Sequence, residues 1–184
     1  MGRPKALLPL EPGGTVLGRI LGTLADAHIS PLVLVTRAHV DVSVAWQDAR
    51  AATVIQIVNP DPARGQLSSL LCGVDALRGD PPAILVTLVD IPLPRVDSVR
   101  ALVDAWRRSG APLVRPIYDG RHGHPVLFGR ALVDRLRTAN PEVGAKPVVH
   151  AFADEGIDVL VDDPGVLVDI DSPDDYARLI DRGH

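Results

Sequence analysis

A chain of 184 residues, 46% hydrophobic and 23% charged, is long enough for one ordinary domain with a full core and is globular in composition. Its formal net charge of −4 gives no argument for nucleic acid or an anionic membrane as the main partner. Cys72 stands alone, which excludes an intrachain disulfide or a paired-cysteine metal site and fits a reducing, cytoplasmic setting. No apolar run approaches the roughly 20 residues of a membrane span, and no signal-peptide pattern opens the sequence.

In chain order, apolar runs alternate with helical patterns. "TVLGRILGTLADAH" puts Val16, Leu17, Ile20, Leu21 and Leu24 on one helical face, with Thr15 as its N-cap. A buried-type strand follows at 31–36, a helix at 42–51 and a strand at 53–58. A helix is expected over 66–79, closing on Gly79, then the clearest strand of the chain at 83–89. The helix at 96–109 ends in two arginines suited to its negative end, with Gly110 just beyond.

After residue 110 the pattern changes. "PLVRPIYDGRHGHPVLFG" reads as two short strands around a Gly-rich loop, followed by helices at 130–138 and 145–154. "IDVLVDD" and "VLVDID" read as strands, and Ser172 and Pro173 open a terminal helix. The alternation predicts an α/β, Rossmann-like three-layer fold around a mostly parallel sheet. Ligands of such sheets bind outside the carboxyl ends of the strands.

That rule singles out four places. An apolar strand runs into Asp90 and a proline-braced turn; the carboxylate is either a rim-held Mg²⁺ ligand or a turn residue ending the strand. Asp169 and Asp171 alternate along an expected strand, so at most one joins a site on one face, or both merely cap the last helix. Gly65 precedes a helix whose first turn carries Ser68 and Ser69, an arrangement suited to phosphate or polar base edges, or an ordinary capped helix. His122 and His124 have no diagnostic metal spacing, and a pocket-shaping loop is the reading of that stretch. His28, His39, His150 and His184 read as surface residues. No GxSxG, Cys–His pairing or Walker lysine motif occurs.

Together these segments resemble a known family. "MGRPKALLPL" resembles the second half of the signature LAAGxSxRMGxPKxLLPL of MobA-like nucleotidyltransferases. "NPDPARGQLSSLLCGVDAL" resembles the N…G…SSL…G segment, and "LVTLVDIPLP" the strand ending in GDxP, with Val89 where glycine is usual. "PIYDGRHGHPVLFG", "VGAKPVV" and "VDIDSPDDY" resemble the PxYxGxxGHPVLF, GAR and DIDTPEDY blocks. The GHPVLF block and the DIDxPxDY ending favour the cytidylyl over the guanylyl branch.

The resemblance implies Mg²⁺-dependent transfer of CMP from CTP to the terminal phosphate of molybdopterin, with a molybdoenzyme or its maturation chaperone as a further partner. It implies that Asp90 and Asp171 hold Mg²⁺, with Asp169 on the other face, and that Lys5 reaches the α- or β-phosphate. Gly2, Lys5, Asn59, Gly65, Ser68, Ser69 and Asp90 would contact the nucleotide; Tyr118, Gly123, His124 and Pro125 would form the acceptor side. Residues 1–184 are expected to form one domain, with 1–110 as the nucleotide part and 111–184 as the acceptor part and final metal-ligand strand.

The signature also implies a strand and a Gly-rich turn ahead of residue 1, the strand lying between those at 31–36 and 83–89. A start codon placed too late is the preferred explanation; a natural truncation and a segment from a neighbouring subunit are the others. Guanylyl or other nucleotidyl transfer, and a non-catalytic nucleotide-binding or scaffold protein, are the alternative functions.

Overall fold

The computed structural model describes residues 4–10, 14–43, 45, 53–140 and 143–181. Gly2, His184 and most of the helix expected at 42–51 lie outside them. No described helix is long and apolar enough to cross a membrane.

The first helix, α1 (Val16–Asp26), starts where the Thr15 hydroxyl accepts from the Gly18 amide at 3.0 Å, and it buries Val16, Leu17, Ile20 and Leu21. Strands β1 (Leu32–Thr36) and β2 (Val54–Val58) pair in parallel. Helix α2 (Gln66–Ala76) is shorter than the pattern predicts: Leu77 leaves the helix in extended geometry, and Gly79 stands beyond the end. Strand β3 (Ala83–Val86) stops three residues short of Val89, and the chain then turns through Pro92 and Pro94. Helix α3 (Val96–Ser109) ends on Gly110, whose φ of +65° is the left-handed cap that glycine adopts without strain.

The stretch expected to hold two strands holds three, β4 (Leu113–Tyr118), β5 (Arg121–His122) and β6 (Val126–Gly129), because a tight turn at Asp119–Gly120 folds β5 back on β4. Helices α4 (Arg130–Arg137) and α5 (Lys146–Ala151), strand β7 (Ile157–Leu160) and helix α6 (Pro173–Asp181) complete the chain. Ser172 and Asp175 cap α6 reciprocally: the Asp175 amide donates to the Ser172 hydroxyl at 3.2 Å and the Ser172 amide to the Asp175 carboxylate at 2.8 Å. "VLVDID" is not a strand. Pro164–Leu167 forms a 3-10 turn, and 168–171 runs on irregularly with no strand beside it.

The expected parallel pairing is present in β1–β2 and β4–β7, while β6 enters antiparallel to both β3 and β4. The strands form two groups, β1–β2 and β3–β6–β4 with β5 and β7. Leu32 donates to Thr53 and Thr36 accepts from Asn59, so the alternate residues Val33 and Val35 aim their backbone groups away from β2. Likewise Arg130 donates to Pro82, so Ile84 and Val86 bond β6 while Ala83 and Leu85 face outward. Among the described residues neither outer edge has a partner strand.

Helices cover both faces. Leu32 and Leu34 pack with Leu17 and Leu21 of α1. Val35 faces α2, where Gly73 lets the helix approach so closely that an added Cβ would stand 3.2 Å from a Val35 methyl. The largest core cluster joins Leu67 and Val74 of α2 to Leu113, Val126, Phe128, Leu132 and Leu136. β4 and β6 are the most buried strands, whereas all four residues of β3 are half-buried.

Candidate active site

Three irregular segments meet beyond the carboxyl end of β3. The first follows β3 and carries Asp90. The second is the 118–125 turn with His124. The third, 161–171, carries Asp169 and Asp171. The Ile170 amide donates to the Asp90 carbonyl at 2.8 Å, which ties the first to the third. Leu8, Leu10, Leu93 and Ile170 share one apolar cluster, and the Tyr176 hydroxyl donates to the Pro9 carbonyl at 2.7 Å. Those contacts deliver the 3-10 turn Lys5–Leu7 to the same place, where Lys5 Nζ lies 2.8 Å from Asp171 Oδ1.

One carboxylate oxygen from each of Asp90, Asp169 and Asp171 falls within 4.8 Å of the others. The expected separation of Asp169 from Asp171 is thereby corrected. Opposite faces follow from strand periodicity, and this segment is not a strand, so both side chains turn to one side. Asp169 is the residue the sequence reading placed elsewhere; its only signal was its position two residues before Asp171.

The electrostatics of the cluster are those of crowded negative charge. Burial, then the charges of Asp90 and Asp171, hold the Asp169 carboxyl above the ordinary carboxylate range. The hydrogen bond to Asp171, reinforced by the charges of Asp171, Asp90 and Asp169 against some desolvation, raises the Lys5 ammonium above its usual value, so it stays charged. Asp90 Oδ1 is buried with no hydrogen-bond partner among the described residues. A buried acceptor in that state is costly unless a donor or cation meets it. An all-carboxylate donor set suits a hard divalent cation, so the residues fit a metal of that class.

The other expected site residues are placed as follows. Asn59 is 3% exposed, and its amide donates to the Ser68 and Ser69 hydroxyls at 2.8 and 3.0 Å. The Ser68 hydroxyl donates in turn to the Gly65 carbonyl at 2.8 Å. Gly65 precedes α2 at a φ of +82°, so these four form one knot at the start of that helix. Tyr118 is half-buried at the end of β4. Gly123 is buried where a Cβ would strike the Val166 carbonyl, and the His124 amide donates to that same carbonyl at 2.9 Å. Burial holds the His124 imidazole below its usual range, and its Nδ1 is the other buried polar atom without a partner among the described residues. Pro125 is buried beside it. His122 stands apart, bonded through Nε2 to Asp158 at 2.8 Å; His28, His39 and His150 are exposed, as expected.

Comparison with known proteins gives the fold a context. It is similar to the crystal structure of Rv0371c from Mycobacterium tuberculosis, at 25% identity and a TM-score of 0.78, covering 98% of this chain and 90% of that one. The manganese complex of Rv0371c is similar at 27% identity and a TM-score of 0.75, over 98% and 93%. A nucleotidyl transferase from Methanothermobacter thermautotroptrophicus has a similar fold at 23% identity and a TM-score of 0.75, over 97% and 84%. Comparison with curated proteins gives no match. Residues 1–157 match the MobA-like NTP transferase domain, and the chain therefore belongs to that family of nucleotidyltransferases.

Proposed function

We propose that the protein transfers CMP from CTP to the terminal phosphate of molybdopterin and releases pyrophosphate, with Mg²⁺ as its cofactor. The observation that carries this reading is the convergence of Asp90, Asp169, Asp171 and Lys5 at one strand end, where Asp90 Oδ1 is buried without a hydrogen-bond partner among the described residues. The preference for cytidylyl transfer is supported by the resemblance of 123–128 and 169–176 to the GHPVLF and DIDxPxDY blocks.

An acceptor phosphate oxygen attacks the α-phosphorus of CTP. The new P–O bond forms as the bond from that phosphorus to the bridging oxygen breaks, and the electron pair leaves on pyrophosphate. A phosphate monoester has a second pKa of about 6 and is largely ionised at neutral pH, so no general base is required. The task left to the protein is alignment and charge neutralisation. Asp90, Asp169 and Asp171 would hold a divalent cation, which would supply neutralising charge when bound. Lys5 contributes a permanent positive charge to the departing phosphate oxygens. The Asn59–Gly65–Ser68–Ser69 knot lines the nucleotide, in the 1–110 part; Gly2, also expected there, lies outside the described residues. Tyr118, Gly123, His124 and Pro125 form the acceptor side.

The test is pyrophosphate release by the purified chain with molybdopterin, Mg²⁺ and either CTP or GTP. Turnover with CTP well above GTP supports the reading. Preference for GTP moves the protein to guanylyl transfer, and nucleotide binding without turnover makes it a binding protein.

A further inference from the structure

Asp163 belongs to no step above, yet it is the most thoroughly bonded buried carboxylate among the described residues. It is 2% exposed. Its Oδ2 accepts from the Arg95 amide and the Ser98 hydroxyl, both at 2.7 Å, and its Oδ1 accepts from the Gly165 amide at 2.9 Å. The Arg95 guanidinium stands 3.3 Å from Oδ1. Burying a carboxylate is costly unless it is hydrogen-bonded, and each of these bonds satisfies a donor that would otherwise lack an acceptor. What its bonds supply is a fixed relation between segments far apart in the chain.

Two of those segments carry the acidic cluster, and the third is helix α3. Through Arg95, Asp163 holds the end of the turn that carries Asp90. Through Gly165 it shapes the 3-10 turn that leads to Asp169 and Asp171. That turn sits so close to the Asp90 segment that a Cβ on Gly165 would collide with the Leu93 carbonyl. The next residue, Val166, accepts the His124 amide. The buried Asp163 side chain therefore ties the Asp90 segment to the segment that leads to Asp169 and Asp171, and the Val166 carbonyl of the 3-10 turn it shapes receives the His124 segment.

We propose that Asp163 is a positioning residue for the acidic cluster: it sets the spacing of Asp90 against Asp169 and Asp171, and the cluster loosens without it. The inference rests on reading that cluster as a cation site in nucleotidyl transfer. The experiment compares Asp163→Asn, Asp163→Glu and Ser98→Ala with the unaltered chain. Ser98→Ala removes one donor on the α3 side and leaves the bonds of Asp163 to the Arg95 and Gly165 amides in place. Mn²⁺ binding is measured by calorimetry below the melting temperature of every variant, and exchange of the Ile170 and His124 amides by NMR.

Asp163→Asn is expected to weaken Mn²⁺ binding on the order of tenfold or more, as loss of a supporting partner does at metal sites. It should also quicken exchange at Ile170 and His124. Ser98→Ala should lower the melting temperature while leaving both readouts within about twofold. Should Asp163→Asn fail to fold, Asp163→Glu keeps the charge but lengthens the tie by one methylene, and it should show the same two losses. Unchanged Mn²⁺ affinity and unchanged exchange in a destabilised variant would overturn the proposal. Failure of the unaltered chain to bind Mn²⁺ would sink the cation-site reading instead; the exchange arm then still decides whether Asp163 holds the three segments together.

Discussion

Lys5 and Asp171, 166 residues apart in sequence, meet in a 2.8 Å ion pair at the end of β3. The Asp171 side chain is 71% exposed and that of Lys5 31%, so the pair contributes little to stability. Its significance is the cation it places beside three carboxylates.

Lys5→Ala is expected to lower kcat by about 100-fold, the scale of losing one preorganised donor to developing charge, with a much smaller rise in KM for CTP. Melting should shift little. Steady-state pyrophosphate release separates the two constants, and a rise in KM alone would make Lys5 a docking residue.

Asp169→Asn discriminates between strand periodicity and the structure. Were Asp169 on an opposite face, the variant would bind metal normally. In the observed cluster it should weaken Mn²⁺ binding severalfold or more, and Asp90→Ala should abolish metal-dependent turnover. Calorimetry with Mn²⁺ and a turnover assay read the two effects.

Asp158 gives a pH dependence remote from the site. Burial acts to raise its carboxyl, but the bonds from His122 Nε2 and from Arg115 Nε, both at 2.8 Å, outweigh it and hold the group below its ordinary value of 3.8. A carboxyl lowered in the folded state contributes stability that is present above 3.8 and lost as pH falls through the lower folded value. With 37% of its side chain exposed, that contribution should stay within about 1 kcal/mol. Acid titration of Asp158→Asn, followed by thermal melting, should show a shallower loss of stability below pH 4 than the unaltered chain.

The open strand edges should be visible in amide exchange. Val33 and Leu85 aim their amides away from their neighbouring strands, whereas Leu34 and Ile84 bond within them. Faster exchange at Val33 and Leu85 than at Leu34 and Ile84 is expected; equal protection would mean the two strand groups are bridged in solution.

Much of this was legible before any coordinates. Thr15 as N-cap, Gly110 as C-cap and the Ser172 start of α6 are local signals, decided by groups within a few residues of each other. The place of Asp90, just beyond the carboxyl end of β3, is legible from the apolar strand run that precedes it. The misreadings share one cause. "VLVDID" alternates like a strand, but a strand needs a neighbour, and at this point the chain bonds the Asp90 carbonyl instead. Asp163 stands at the end of "IDVLVDD", read as a strand with no role for that carboxylate; its bonds come from Arg95 and Ser98, 65 or more residues away.

By itself, then, the sequence determined the caps at Thr15, Gly110 and Ser172, the strand runs that became β1, β2, β3 and β7, and the family, because hydrophobic period, turn chemistry and motif are properties of neighbouring residues. Only the tertiary structure decided that three carboxylates and Lys5 share one site, that Asp169 is among them and that Asp163 binds their segments together. Each of those facts depends on how irregular backbone packs against residues distant in the chain, and no local pattern encodes that distance.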